Sequence, residues 1–340
     1  MSGYNIHTRG LFAALSRRLP VVLSPVRSSA ADRCCILSAM PDRRLTSIAL
    51  LYGSMADVLR EAPGPRIAYT VWEASRLPDD WYEPLARADR IWTATPWGRR
   101  VLVANGFAAD RVDVVPEGVD TRLFHPAVPP ALPRSGRFRF LAVGRWERRK
   151  GMADLVSAFD AEFGAGEDAE LVLAGLHAQQ PDIDLGAELR ALRLRRPERL
   201  KVIPPVRGHD TFAGLYTACD AFVAPSRGEG WGLPVSEAMA CGLPVIVTGY
   251  SGPTAFIGRD AYRIDHRLVP VDDPYFERAD MDLGVWAEPD WRHLRDLMRR
   301  VYRDREEARA RGLAGARDVS ARLTWDHAAA VAEALILRAG

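Results

Sequence analysis

Glu229 and Glu237 stand with seven residues between them, and Arg145 and Lys150 stand five positions apart earlier in the chain. Gly144-Arg145 ends an apolar run at 138–143, and Lys150-Gly151 opens a helical stretch that continues to Phe159. A strand end and a helix start put both cations beside one ligand. There an Arg fork grips a diphosphate through two hydrogen bonds, and a Lys adds a point charge. The carboxylates reach a ligand from different elements, Glu229 from a loop and Glu237 from the first turn of the next helix. The alternatives are a solvated Glu229 and a Glu237 that only complements the helix dipole. Arg148 and Arg149 read as solvated surface cations.

The elements that must position these residues lie around them. Residues 221–224 form an apolar run that fits a buried strand. Gly228, Gly230 and Gly232 follow, and without a Cβ they let the backbone come close to a ligand and take up φ > 0. Pro234 then opens a helix that stops near Gly242, and residues 243–248 form a second apolar strand. Strand, glycine loop, helix and strand in that order aim backbone N–H groups and a positive dipole end at an anion. The pattern Gly-x-Gly-x-Gly differs from the dinucleotide Gly-x-Gly-x-x-Gly, and no Gly-x4-Gly-Lys-Ser/Thr loop occurs.

The stretch 225–247 contains Pro-Ser, Glu-Gly-Trp-Gly-Leu-Pro and Glu-Ala-Met-Ala-Cys-Gly-Leu-Pro-Val-Ile. It resembles the Glu-x7-Glu motif of the retaining family-4 (group 1) glycosyltransferases, which have the GT-B fold. Gly-Arg…Lys-Gly at 144–151 and Pro-Glu-Gly-Val-Asp-Thr-Arg-Leu-Phe-His-Pro at 116–126 are similar to two further family signatures. The resemblance covers most of the chain from Gly3 on. It implies two Rossmann-like, doubly wound α/β domains facing a cleft. It also implies a hexosyltransferase that moves a hexose-type sugar from a UDP- or GDP-linked donor to a hydroxyl of a glycan or lipid-linked acceptor, as in polysaccharide biosynthesis. By the same resemblance Glu229 holds the sugar hydroxyls, and Arg145 and Lys150 carry the leaving diphosphate, the three forming the catalytic set. Glu237 holds the ribose, Val206 and Arg207 sit at the base, and Gly230, Trp231, Gly232 and Leu233 line the donor. Gly3 matches the glycine whose loop lies near the donor phosphates. Glu73 stands near the place where many members carry a histidine, and is the acceptor-side candidate. A capping or loop carboxylate is the equal alternative for it.

Residues 20–24, 34–38, 47–52, 66–71, 90–93 and 112–116 read as strands, and 54–60, 79–88 and 97–105 as helices. This alternation predicts an open parallel sheet covered by helices, with ligands at the carboxyl ends of its strands. The expected division is an acceptor-side domain over 1–126, a proline-stiffened linker over 127–136, a nucleotide-sugar-binding domain over 137–320, and a helix over 321–340 that crosses back. At the start the glycine turn at Gly3 is present but the strand expected before it is missing. Loss of a central parallel strand leaves its neighbours with unpaired ladder groups. The chain as given is therefore expected to be poorly soluble or weakly active, and an upstream extension to restore it. Trp72, Trp81, Trp92 and Trp97 serve either the core or an acceptor groove.

Lys and Arg number 46 against 44 Asp and Glu, a near balance that does not call for nucleic acid. An apolar share of 48% with 26% charged residues is that of an ordinary soluble protein. The four cysteines make no Cys-x-x-Cys, which argues against a zinc or redox site. No apolar run of about 18 residues and no secretory signal is found, so a cytoplasmic protein is expected. The arginine-rich stretch 189–196 is either a solvated helix face or a peripheral membrane contact. No Asp-x-Asp pair sits at a strand end, so neither metal nor any cofactor beyond the nucleotide sugar is expected. The competing readings are a nucleotide-sugar epimerase or phosphorylase on the same fold, and an inactive nucleotide-sugar-binding or scaffold subunit.

Overall fold

The computed structural model describes residues 3–27, 33–39, 46–50, 65–133, 135–175, 183–205, 209, 211–272 and 281–339. The first half runs α1 (Gly3–Leu15), β1 (Val21–Arg27), β2 (Arg33–Ala39), β3 (Thr46–Leu50), β4 (Arg66–Tyr69), α2 (Tyr82–Ala86), β5 (Arg90–Thr93), α3 (Pro96–Ala104) and β6 (Val112–Val114). These strands form one sheet in chain order, β1 to β6. From β3 onward every pair is parallel. The pairs β1–β2 and β2–β3 are antiparallel, which corrects the all-parallel expectation. The reason lies in the spacing. Only residues 28–32 and 40–45 separate these strands, and a parallel crossover needs about a dozen residues or more. The expected gap is also closed, because β3 pairs with β2 on one side and β4 on the other. Thr95 caps α3 by accepting from the Gly98 N–H at 3.0 Å, and Pro96 follows at its first position. The helix expected over 54–60 lies outside the described residues. That expected over 79–88 splits into a 3-10 turn, Asp79–Trp81, and the short α2. Pro84 has no N–H to bond back across the junction.

The second half runs β7 (Phe138–Val143), α4 (Met152–Glu162), β8 (Ala169–Ala174), α5 (Leu185–Ala191), β9 (Leu200–Val202), α6 (Thr211–Thr217), β10 (Ala221–Ala224), α7 (Leu233–Ala240), β11 (Val245–Thr248) and β12 (Tyr262–Ile264). The sheet order is β12-β11-β10-β7-β8-β9, parallel throughout. Phe140, Leu141, Leu171 and Leu173 are fully buried, because helices cover both faces, and such strands read as continuous apolar runs. The chain winds outward from β7 through β8 to β9, then returns to pair β10 on the other side of β7. That reversal opens a crevice at the carboxyl ends of β7 and β10, where ligands of doubly wound sheets bind.

A two-stranded antiparallel sheet, β13 (His266–Pro270) with β14 (Val285–Pro289), follows and has no counterpart in the sequence reading. Helices α8 (Trp291–Arg303), α9 (Arg305–Arg322) and α10 (Trp325–Ala339) complete the described chain. α10 packs against α1, with ion pairs Arg17–Asp326 and Arg18–Glu333 and the His7 ring edge-on to Trp325. Trp72, Trp81, Trp92 and Trp97 are all buried, so these rings belong to the core. Cys219 and Cys241 are buried free thiols, and burial pushes the Cys241 thiol up to about 12. Among the described residues no helix is long and apolar enough to cross a membrane.

Candidate active site

Both sharp motifs meet at the crevice. β7 delivers Gly144-Arg145, and a 3-10 turn, Arg148–Lys150, precedes α4. β10 delivers the glycine loop that ends at α7. Lys150 Nζ donates to Glu229 Oε1 at 2.5 Å, so two residues 79 positions apart form one ion pair. Burial raises the Glu229 carboxyl, but the Lys150 ammonium and the Arg149 guanidinium more than offset this and hold it at about 2. Burial pushes the Lys150 ammonium below its usual range against the pull of Glu229.

The neighbouring cation overturns the surface reading. Arg149 is only 4% exposed. Its Nη1 donates to the Gly228 carbonyl at 2.8 Å and to Glu229 Oε2 at 3.2 Å, and its Nη2 donates to Glu147 Oε1 at 2.8 Å. Glu73 Oε1 lies 3.9 Å away. Burial works against this charge, and Glu147, Glu73 and Glu229 together hold its pKa above the ordinary arginine value. Arg148, by contrast, is half exposed and pairs with Asp272 at 2.8 Å, as a surface cation does. Arg145 Nη2 lies 3.2 Å from the buried Glu147 Oε2. The result is an alternating cluster of three cations, Arg145, Arg149 and Lys150, with three carboxylates, Glu73, Glu147 and Glu229. Glu147, Arg149 and the participation of Glu73 are what the sequence reading missed.

The glycines act differently from one another. Gly232 has φ of +98° and precedes α7. Gly228 and Gly230 are not in the left-handed region, which corrects the expectation for them. They are needed for close approach: a Cβ on Gly228 would lie 2.0 Å from the Glu73 carbonyl, and one on Gly230 2.5 Å from Val71 Cβ. The partner in that approach is the first half of the chain. Glu73 is thereby brought to the glycine loop, and burial raises its carboxyl, partly offset by Arg149.

A second buried arginine laces the same segments. Arg227 Nη1 donates to the Arg148 carbonyl at 2.6 Å, while Nε and Nη2 grip Glu288 at 2.8 and 3.0 Å. Its guanidinium also lies over the Trp291 ring. Each loop thus carries an arginine whose fork reaches the other loop's backbone.

Glu237 is the fifth residue of α7, so it lies in the second turn and not the first. Its Oε2 accepts from Tyr216 OH at 2.9 Å, and Oε1 lies 2.6 Å from His209 Nε2. The first-turn donors are partly used, since Val235 N–H donates to the Gly232 carbonyl at 2.9 Å. Trp231 is buried against Phe256, and Leu233 is buried as well. Gly3 begins α1. Val206 and Arg207 lie outside the described residues. In the arginine-rich stretch, Arg195 pairs with Asp160 and Arg190 is exposed, as a solvated face would have it. Among the described residues no group of three or more His, Cys, Asp or Glu side chains is arranged to hold a metal ion.

Residues 137–276 match the family model described as Glycosyl transferases group 1. The D-inositol 3-phosphate glycosyltransferase of Xylanimonas cellulosilytica is 31% identical over 236 residues, covering 66% of this chain and 51% of that protein. The GDP-mannose:cellobiosyl-diphosphopolyprenol alpha-mannosyltransferase of Xanthomonas campestris is 24% identical over 239 residues, covering 65% and 61%. The chain spans about half the length of the curated relatives it matches first. Among solved structures, sucrose-phosphate synthase from Thermosynechococcus elongatus aligns with a TM-score of 0.62 at 20% identity, covering 83% of this chain and 69% of that one. Anabaena HepE in complex with UDP-glucose aligns with a TM-score of 0.60 at 15% identity, covering 80% and 72%. The fold is GT-B: two Rossmann-like α/β domains, the first sheet parallel from β3 onward and the second parallel throughout.

Proposed function

We propose that this chain is a retaining glycosyltransferase that moves a hexose-type sugar from a nucleotide diphosphate sugar to a hydroxyl of a glycan or lipid-linked acceptor. The observation that carries this reading is the buried Lys150–Glu229 pair at the sheet's point of reversal, inside the stretch that matches the group 1 glycosyltransferase model. Three cations balance three carboxylates there, so a diphosphate entering the crevice must win cations from carboxylates. Donor binding resolves this by exchange. The diphosphate takes Lys150 from Glu229 and Arg145 from Glu147, and sugar hydroxyls donate to Glu229 in place of Lys150. Glu237, beside His209 and Tyr216, holds the ribose.

As the bond from the anomeric carbon to the phosphate oxygen breaks, negative charge grows on the diphosphate. Once the donor has bound, Arg145 and Lys150 already lie on the diphosphate and meet that charge without further reorganisation. The acceptor oxygen attacks the same face, and its proton passes to the departing phosphate oxygen, so the step balances without a protein base. Glu73, whose raised carboxyl stays partly protonated nearer neutrality than an ordinary glutamate, orients acceptor hydroxyls. The reaction needs no metal, and activity is expected to survive EDTA.

A thermal-shift panel of UDP- and GDP-sugars, followed by transfer assays with radiolabelled donor and lysate acceptors, tests this. Both bases belong in the panel, because one relative is named for GDP-mannose and one structural neighbour holds UDP-glucose. A true donor at 100 times its Kd adds about 2.7 kcal/mol of stability. Label appearing on an acceptor supports transfer. Epimer or free sugar phosphate with no transfer would replace this reading by an epimerase or phosphorylase, and bare binding by a non-catalytic subunit.

A further inference from the structure

Glu229 lies between two glycines, Gly228 and Gly230, so its own neighbours do little to fix its backbone. The fixing comes from elsewhere. The Glu229 N–H donates to Ser251 Oγ at 3.0 Å, and the Glu229 carbonyl accepts from the Gly252 N–H at 2.9 Å. Both backbone groups of the proposed sugar-binding carboxylate are therefore held by two consecutive residues of the loop after β11. That loop is fixed in turn, because the Ser251 carbonyl accepts from Thr254 N–H at 3.1 Å and Thr254 Oγ1 at 2.6 Å. A Cβ on Gly252 would lie 2.4 Å from the Gly230 carbonyl, so the two loops have no room to separate their backbones by a side chain.

Ser251 itself has φ of 55° and ψ of −143°. This is a region that glycine enters freely and residues with a Cβ enter at a cost, one that persists where surroundings enforce it and that clusters at functional sites. Ser251 is 3% exposed and lines the crevice with Glu229, Thr248 and Tyr250. A glycine would relieve the backbone but would leave the Glu229 N–H without its acceptor.

We propose that Ser251 is a positioning residue: its hydroxyl, held in a strained backbone, fixes the Glu229 main chain so that the carboxylate meets the sugar in one orientation. The proposal rests on the glycosyltransferase reading of the same site. It acts through Glu229 and not on substrate, so its signature is a fall in kcat with little change in donor KM.

The test compares Ser251→Gly with Ser251→Ala in the full chain. Both remove the hydroxyl, but only glycine removes the strain. Both are expected to lower kcat about tenfold with donor KM within about twofold, the loss expected when an interaction matters mainly in the transition state. Ser251→Gly is expected to melt above the wild type and Ser251→Ala not to. Wild-type kcat in either variant, or recovery of the alanine loss by glycine, overturns the proposal. A cycle of Ser251→Ala with Glu229→Gln in thermal melting reads the coupling without turnover. Non-additive shifts support it, and strictly additive shifts overturn it. A wild type that transfers no sugar from any donor would refute the function proposed above, and the melting cycle would then decide on Ser251 alone.

Discussion

Arg149→Met tests the cluster most directly, because the sequence reading makes this residue, with Arg148, a solvated surface cation. In the structure its guanidinium faces Glu147 at 2.8 Å, Glu229 at 3.2 Å and Glu73 at 3.9 Å, and it donates to the Gly228 carbonyl at 2.8 Å. Removing one partner of a buried pair costs about 3–5 kcal/mol. Here Glu229 keeps Lys150 and Glu147 keeps Arg145, which pulls the cost toward the lower end. The Gly228 carbonyl loses a donor, which adds about 1 kcal/mol or more. A loss of roughly 4 kcal/mol follows, and at about 2–4 °C per kcal/mol for a domain of this size the midpoint falls on the order of 10 °C. The control is Arg148→Met, one position away, half exposed and paired only at the surface, with an expected change within about 0.5 kcal/mol. Arg149→Lys recovers only part of the loss, since an ammonium lacks the planar fork that reaches Glu147 and the Gly228 carbonyl together. Thermal and urea unfolding of the three variants provide the comparison. Equal, small effects at 148 and 149 would show that the buried charge cluster does not exist in solution.

Lys150→Ala and Arg145→Ala are each expected to lower turnover about 10²–10³-fold, the usual loss of one pre-placed group facing developing charge; near-wild-type turnover in both, with the fold intact, removes their leaving-group role. Glu237→Ala is expected to raise donor KM chiefly, and Glu229→Ala to lower kcat as well, since a group binding ground and transition state alike affects KM alone; steady-state kinetics showing the reverse would exchange their roles. Acid unfolding separates two carboxylates by sign. Glu229 is held at about 2 against an ordinary 4.5, so its contribution is complete above pH 4.5 and is lost as pH falls toward 2, a matter of roughly 3 kcal/mol. Glu229→Gln should therefore flatten the acid limb of a stability–pH curve. Glu73 is raised, so its ionised form costs stability above its folded pKa, and Glu73→Gln should stabilise the protein near neutral pH; the same sign in both variants would contradict the assigned environments.

The strands Phe138–Val143 and Ala221–Ala224 are legible residue for residue, because burial on both faces leaves an unbroken apolar run. Glu229, Arg145 and Lys150 are legible because each stands at a junction whose neighbours, glycines and strand ends, mark it. The strands expected at 20–24, 34–38 and 47–52 already leave only nine and eight residues between them, short for a parallel crossover, so a reading that weighs connection length before alternation would have found the antiparallel start. The pair β13 and β14 leaves no comparable signal, since 14 residues separate its strands in the sequence.

Arg149 was hidden for a geometric reason. It lies in a 3-10 turn, where successive residues point about 120° apart, so three consecutive cations cannot all face solvent. Two of them, Arg149 and Lys150, face the crevice, and Arg148 faces solvent. No periodicity spans three residues, so the pattern Arg-Arg-Lys does not say which one turns inward. The buried Glu147 that takes the Arg149 guanidinium shows its burial only in the structure. The glycines carry the same ambiguity: their spacing demands a close approach, but that Gly228 meets the Glu73 carbonyl depends on how the halves face each other. Ser251 is harder still, because its strained φ is one that serine rarely adopts and its residue type does not announce. What the sequence holds locally is which groups can do chemistry. Whether Lys150 is free for a phosphate or already bound to Glu229 is decided by the return of β10 to the side of β7, which brings together two side chains 79 positions apart.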